Sequence, residues 1–402
     1  MNYNRLSLIA LPFFILLGMW AAQCQTTAGN PSIEGNIQRT NDWKPIVYLI
    51  MPGSFEEIAG SFTGKVIDSA AIGADGSFSF TRLPALQQAV LLEICVQQSG
   101  SRFANKLDEE DPAHSNYIPL ILHSGESIVL RANAERFQAS VAFERASAEQ
   151  QIMLQLQKTR LAAWQQRQLR EQSIEEHDEN AILEHEQARA AYQATLMAFA
   201  DTTNALFPAL TAIRWASPEG DYERMPEFIT RQCNRWREIA PENAFVQQLC
   251  TLADPGQLPV QTGDPMPDFD LPMLSGDTSD LYQLLGKKLT IIDLWASWCA
   301  PCRKENREVL ANLYPKYREQ GLQIIGYSLD SNRPAWSAAI AKDGASWRQA
   351  SHLQGDVSPF LDRLRITTIP ANFILDEKGT VLAKNLHGAE LTAFVEQFFQ
   401  KK

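Results

Sequence analysis

Apolar residues in the first third of the chain come in short runs, at 46–50, 64–68, 76–80, 90–96, 118–123 and 127–130, separated by Gly, Pro, Asp and Ser. Runs of this length between turn formers predict β-strands, and Asp75-Gly76 is a hairpin signal. A small all-β unit, an antiparallel sandwich or barrel, is therefore expected over 33–131. From 132 to about 255 the pattern changes to Gln, Glu, Ala, Arg and Leu, and no Gly or Pro falls between Gly125 and Pro208. Only long helices tolerate such a stretch comfortably, so a central α-helical segment follows. From Gly263 onward the pattern reads strand (289–295), helix (302–319, interrupted by Pro315), strand (322–328), helix (335–342), strand (372–375), a turn at Glu377-Lys378-Gly379, strand (380–384) and a final helix (389–399). A βαβ unit followed by a hairpin and a helix fits an α/β domain over 263–402, with a mixed sheet covered by helices.

The N-terminus has a pattern of its own. Arg5, an apolar run from Leu6 to Trp20 and small residues ahead of Cys24 read as an export signal over 1–24, followed by a tether over 25–32. Ala21-Ala22-Gln23-Cys24 resembles a bacterial lipobox, which implies lipidation of Cys24 and a membrane held by a lipid anchor, in the periplasm-facing cell envelope, with simple secretion and an uncleaved anchor as the alternatives. The apolar run is short for a membrane span. At 402 residues the chain is too long for one core, in keeping with several domains. The net charge is −11 with both signs interspersed, which leaves no basic stripe for a phosphate backbone and excludes nucleic acid as a partner.

Chemistry concentrates at Trp298-Cys299-Ala300-Pro301-Cys302, where the apolar run ending at Trp295 hands over to a helix. A thiol at a helix N-terminus sees unpaired N–H groups and the positive end of the helix dipole, which favour its thiolate. Cys299 is thus the candidate nucleophile. Cys302, one turn further in, can reach back and close a redox disulfide with it. Export permits disulfides elsewhere, since they persist in oxidising compartments. Cys233 and Cys250 flank Pro241 in two consecutive helices, and a structural disulfide between them and a pair of buried thiols both stay open. Cys95, in an apolar run, reads as a core residue. Zinc at the Cys-x-x-Cys would need two further ligands, and no second cysteine pair exists. Glu175-Glu176-His177 and Glu184-His185-Glu186 lack the His-Glu-x-x-His spacing and read as a solvated helix face. No metal and no organic cofactor are expected. Trp164, Trp215 and Trp236 are expected to anchor packing, and the helices are expected to need a surface to bury against, with homodimerisation as one way to supply it.

Ile292-Asp293-Leu294-Trp295-Ala296-Ser297-Trp298-Cys299-Ala300-Pro301-Cys302, with Thr367-Thr368-Ile369-Pro370, resembles the active-site segment and cis-proline loop of the thioredoxin superfamily. The lead-in Gly263-Asp264-Pro265-Met266-Pro267-Asp268-Phe269-Asp270-Leu271, with Gly326-Tyr327-Ser328-Leu329-Asp330 and Asp376-Glu377-Lys378-Gly379, is similar to extracytoplasmic thiol–disulfide oxidoreductases of the TlpA/ResA type. More faintly, Ile33-Glu34-Gly35, Ile67-Asp68-Ser69 and Asp75-Gly76-Ser77-Phe78 resemble a β-rich domain of unknown function that precedes such modules in envelope lipoproteins.

The resemblance implies a thioredoxin fold and roles for particular residues. Asp293, a carboxyl in apolar surroundings expected beneath the dithiol, would have a raised pKa and take the proton of Cys302 as that thiol attacks. Glu305 matches the acidic residue of a Cys-x-x-Cys-x-x-Glu pattern; sharing in proton transfer and sitting exposed on the helix are both open. Pro370 would be cis and, with Ile369, present backbone to an extended peptide. Trp298 would offer an apolar surface beside the nucleophile. Arg307 stands where many relatives carry a helix-kinking proline, so a straight helix as far as Pro315 is expected. Ala300-Pro301 supplies no cation of the kind that makes a disulfide strongly oxidising, which points towards reduction, although the redox direction stays open. The implied partners are exported proteins with cysteines or disulfides and a membrane thiol electron donor. Two rivals remain. A thiol peroxidase would need Pro-x-x-x-Thr-x-x-Cys, whose proline and threonine places are taken by Ile292 and Ala296. A non-catalytic envelope binding module would use the thioredoxin domain as scaffold, which the intact cysteine pair disfavours.

Overall fold

The computed structural model describes residues 31–400 except 81, 84–85, 101–109, 176–180, 257 and 367. The export signal, Cys24, tether residues 25–30 and the pair Glu176-His177 lie outside the described residues.

Two four-stranded sheets form the N-terminal unit. One has the order Ser77–Phe80, Ser32–Gln38, Ser127–Asn133, Ala142–Arg145, and the other Lys65–Ala71, Trp43–Met51, Val90–Gln98, Tyr117–Leu122. Alternate residues of the first sheet, among them Ile33, Phe78, Phe80, Ile128 and Leu130, pack with Val47, Leu49, Leu92, Ile94 and Leu120 of the second in one apolar core. The expected purely antiparallel pairing does not hold throughout, because Ser32–Gln38 runs parallel to Ser127–Asn133. Between these two strands the chain crosses into the second sheet and back twice, so it can re-enter the first in the same direction. The unit also extends past 131. Ala142–Arg145 adds an edge strand, and its nearly continuous exposure left no apolar alternation to mark it.

Ser147 caps the first long helix by accepting from the Gln150 N–H, and helices follow at Ala148–Gln172, Ala181–Thr202, Leu206–Ala216, Pro226–Ile239 and Ala244–Leu252. They do not lack a core. Met153, Leu156, Leu196, Ile213, Trp215, Phe228 and Leu249 bury against the outer face of the second sheet at Cys95, Tyr117 and Ile121. This explains why Val90–Gln98 and Tyr117–Leu122 are apolar on both faces. Trp215 and Trp236 are fully buried; the Trp215 Nε1 donates to the Tyr117 hydroxyl at 2.7 Å and the Arg160 guanidinium lies 4.2 Å over its ring. His185 and Glu186 are exposed.

The C-terminal domain holds a five-stranded sheet in the order Arg348–Ala350, Leu322–Ser328, Leu289–Trp295, Ala371–Asp376, Val381–Lys384. The first three strands are parallel and the last two antiparallel, with helices at Ala300–Tyr317, Arg333–Asp343, Pro359–Leu364 and Gly388–Gln400. Leu289–Trp295 is buried at every position, as a central strand between two helical layers must be. The domain is tied to the helical segment: Lys384 pairs with Glu227 at 2.7 Å, and the same carboxylate accepts from the Thr262 N–H at 3.0 Å. Among the described residues no helix is long and apolar enough to cross a membrane.

Candidate active site

The central strand delivers the chain to its C-terminal end, where Cys299 becomes the N-cap of the helix beginning at Ala300. Its Sγ accepts from the Cys302 N–H at 3.3 Å, and the two cysteines are joined in a disulfide. Pro301, in the first turn, gives up an N–H that would have been unpaired there anyway. The preceding loop is fixed by Asp330, which accepts from the Ser297 N–H at 2.8 Å and from its hydroxyl at 2.5 Å. The helix does not run uniformly to Pro315. Asn306–Leu310 forms a π-turn in which the Ala311 N–H reaches back to the Asn306 carbonyl, and Pro315 is accommodated inside the last segment, Ala311–Tyr317. The expected straight helix is thus broken at Asn306–Leu310, with Arg307 inside the break.

The cations beside the motif are not free. Arg303 donates to both oxygens of buried Asp343, one contact at 2.7 Å, and to the Ser297 carbonyl at 3.0 Å, while Arg307 lies 3.4 Å from the same carboxylate. Nothing in the sequence signalled Asp343, which is forty residues away from Arg303.

Two buried carboxyls flank the dithiol along the chain, one on the strand before it and one on the helix after it. Asp293, on the strand that leads into it, is 3% exposed and lies in register between Gly326 and Asn372. Its Oδ2 has no hydrogen-bond partner among the described residues. Burial, reinforced by the negative charge of Glu305, pushes its pKa well above the ordinary carboxyl range. Glu305 is 8% exposed, so it is not a surface glutamate. Burial raises its pKa to about 7, opposed by the Gly388 N–H, which donates to both carboxyl oxygens at 3.1 and 3.2 Å, and assisted by the charge of Glu308. Gly388 was invisible to sequence reasoning because its contribution is a backbone group 83 residues along the chain.

The Ile369–Pro370 peptide bond is cis. Ile369 packs on the cluster that contains Cys299, Cys302 and Trp295. Trp295 is fully buried and donates to Gln349 Oε1 at 3.2 Å, whereas Trp298 is 65% exposed and presents its ring to solvent. Cys233 and Cys250 form the second disulfide and Cys95 is a buried free thiol. A cleft of about 510 Å³ lies elsewhere, between the β-unit and the helices, lined by Arg160, Trp164 and Tyr117 among others.

The AhpC/TSA family matches residues 262–384. Thiol-disulfide oxidoreductase ResA of Bacillus thuringiensis subsp. konkukian is 25% identical over 142 residues, covering 35% of this chain and 79% of that protein. Thiol:disulfide interchange protein DsbE of Allochromatium vinosum is 27% identical over 146 residues, covering 36% and 77%. The C-terminal domain is a thioredoxin-like thiol–disulfide oxidoreductase. Its match to the solved thioredoxin domain of a thiol-disulfide oxidoreductase from Bacteroides vulgatus has 30% identity, covers 35% of this chain and 99% of that one, and has a TM-score of 0.33. The family match lies in the last third of the chain and leaves the β-unit and the central helices outside it.

Proposed function

We propose that the protein is an exported, lipid-anchored oxidoreductase that reduces disulfides of envelope proteins. Cys299, as thiolate, attacks a substrate disulfide; the substrate S–S bond breaks, one substrate thiolate leaves and takes up a proton, and a mixed disulfide forms. Cys302 then attacks Cys299 Sγ, its proton passing to a carboxylate of the Asp293/Glu305 pair, and the second substrate thiol departs. Two electrons have moved from the dithiol to the substrate. A membrane dithiol donor must restore them, because the compartment is oxidising. The substrate peptide lies along cis-Pro370 and Ile369, with Trp298 as its apolar rest.

The observation that carries this reading is the placement of Cys299 at a helix N-cap, with a buried carboxyl of raised pKa on the strand before it and another on the helix after it, while Arg303 and Arg307 are both engaged by Asp343. A thiolate without a free cation beside it gains little stabilisation in the reduced state, which favours a reducing couple. The test is the equilibrium reduction potential of the Cys299/Cys302 pair in the protein lacking residues 1–29, with Cys299→Ser as control. A strongly reducing value supports the reductase. An oxidising value sinks that direction in favour of disulfide formation or isomerisation, and the lack of any titratable couple brings the binding-module reading forward.

A further inference from the structure

Behind the dithiol the strand Ala371–Asp376 carries a polar residue that its surroundings do not require for packing. Asn372 is fully buried and stands in register opposite Asp293. Its Nδ2 donates to the Leu386 carbonyl at 2.6 Å and its Oδ1 accepts from the Leu386 N–H at 3.1 Å. Its backbone carbonyl accepts from the Asn385 N–H at 2.9 Å, and its backbone N–H donates to Asn385 Oδ1 at 3.4 Å. Four bonds therefore fasten residues 385 and 386 to this one position. Asn385 has φ of +52°, a left-handed conformation that asparagine tolerates better than most residues, so the chain turns sharply there. Two residues after Leu386, the Gly388 N–H meets the carboxyl of Glu305. An apolar residue of similar volume would fill the space of Asn372 but would leave the N–H and carbonyl of Leu386 unpaired.

We infer that Asn372 is a positioning residue for the proton-handling carboxyl: by clipping Asn385 and Leu386 to the strand beside Asp293, it fixes where the Gly388 N–H meets Glu305. This rests on the proposal above that Glu305 shares proton transfer with Asp293. The other groups around Glu305 are accounted for. Asp293 and Glu305 repel each other as anions, Glu308 on the same helix adds a like charge and is itself near Lys304 at 3.9 Å, and Glu390 opens the last helix without a bond to Glu305. His387 is held below its usual range by burial, so at neutral pH it is uncharged and the donor to Glu305 is the Gly388 amide. Removing an N–H that favours the charged carboxylate raises the pKa of that carboxylate.

The experiment is a titration of the Glu305 side-chain carboxyl by carbon NMR in the oxidised full-length protein, the signal being assigned by its loss in Glu305→Gln, together with amide hydrogen exchange. In Asn372→Ala the midpoint moves up by about one pH unit, the scale of one hydrogen bond to a charged group, and the Leu386 and Gly388 amides lose protection. Asn385→Gly, which keeps the positive φ and breaks only the outermost bond, moves the midpoint in the same direction by less and leaves the core intact. A folded variant in which the Leu386 amide loses protection while the midpoint stays in place overturns the inference. If instead Glu305→Gln leaves the exchange rate unchanged, the proton-transfer proposal fails while the titration still reads the clip, so the two failures are distinct.

Discussion

Cys233–Cys250 closes a 17-residue separation between two helices, with Cys233 1% exposed and packed among Phe228, Ile229 and Leu249. Cys299–Cys302 closes a separation of three at the start of a helix, beside an exposed tryptophan and ahead of two buried carboxyls. The first pair even has the cation: Arg237 Nη2 lies 2.7 Å from Cys233 Sγ, while Arg303 and Arg307 near the second are bound to Asp343. A nearby arginine is therefore not what separates a working disulfide from a structural one in this chain. Cys233 sits in mid-helix, where no N–H groups are unpaired. Burial does not separate them either, since Cys299 is 5% and Cys302 1% exposed; what the reactive pair has is the helix N-terminus and a place for the proton.

The largest separation between the two pairs should appear on mutation of the cysteines. Cys299→Ser abolishes disulfide exchange in an insulin-reduction assay, and Cys302→Ser accumulates a mixed disulfide visible by non-reducing electrophoresis, with little change in the unfolding midpoint of either. Asp293→Asn follows, slowing exchange by about a hundredfold, the scale of a lost proton acceptor. The same variant carries a stability signature with a definite sign. Folded Asp293 binds its proton more tightly than the unfolded chain does, so stability falls as pH rises from the ordinary carboxyl range through its raised value. Asp293→Asn is thus more stable than the parent at about pH 8 and equal to it at about pH 3, as thermal unfolding at the two pH values would show. If the parent gained stability with rising pH through this window, the buried-acid account would fail.

Replacing Cys233 and Cys250 by alanine gives the reverse phenotype, a loss of roughly 3 kcal/mol in denaturant unfolding by the loop-entropy relation, with the exchange rate per folded molecule unchanged. A parallel loss of rate would show that the helical disulfide takes part in the redox cycle. Glu305→Gln has the smallest effect, a few-fold drop in rate and a flattened pH dependence near 7, where this carboxyl changes charge. A pH–rate profile identical to the parent's would assign that ionisation elsewhere.

Much of the reactive region was legible because its determinants are local. An apolar strand, a Cys-x-x-Cys and the start of a helix occupy fourteen consecutive residues, from Leu289 to Cys302, and Asp293 announces itself as the charge in an otherwise apolar run. What was not legible is tertiary. The Gly388 N–H, the Asn372 clip and the Asp343 clamp each join residues that are far apart in sequence, and a backbone amide carries no residue signature at all. In the N-terminal unit the same contrast holds. Strands with apolar alternation were visible, whereas Ala142–Arg145, exposed along most of its length, was not, nor was the parallel pairing of strands 95 positions apart. The central helices were legible as helices from their lack of Gly and Pro. That they cover the second sheet followed only from the two-sided burial of Val90–Gln98.

The Asp343 clamp has a consequence for how this domain could drift between tasks. Two guanidinium groups are held one helical turn and two from Cys299, both drawn to a single carboxylate on another helix. Releasing them, as in Asp343→Asn, would expose positive potential to the thiolate and stabilise the reduced form, shifting the couple in the oxidising direction without touching the motif. Equilibration of that variant with a glutathione buffer reads the change directly, and a potential identical to the parent's would show that the arginines are too far away to matter. The polarity of the catalyst would then be an inheritable setting, carried by one residue outside the pattern by which such catalysts are recognised.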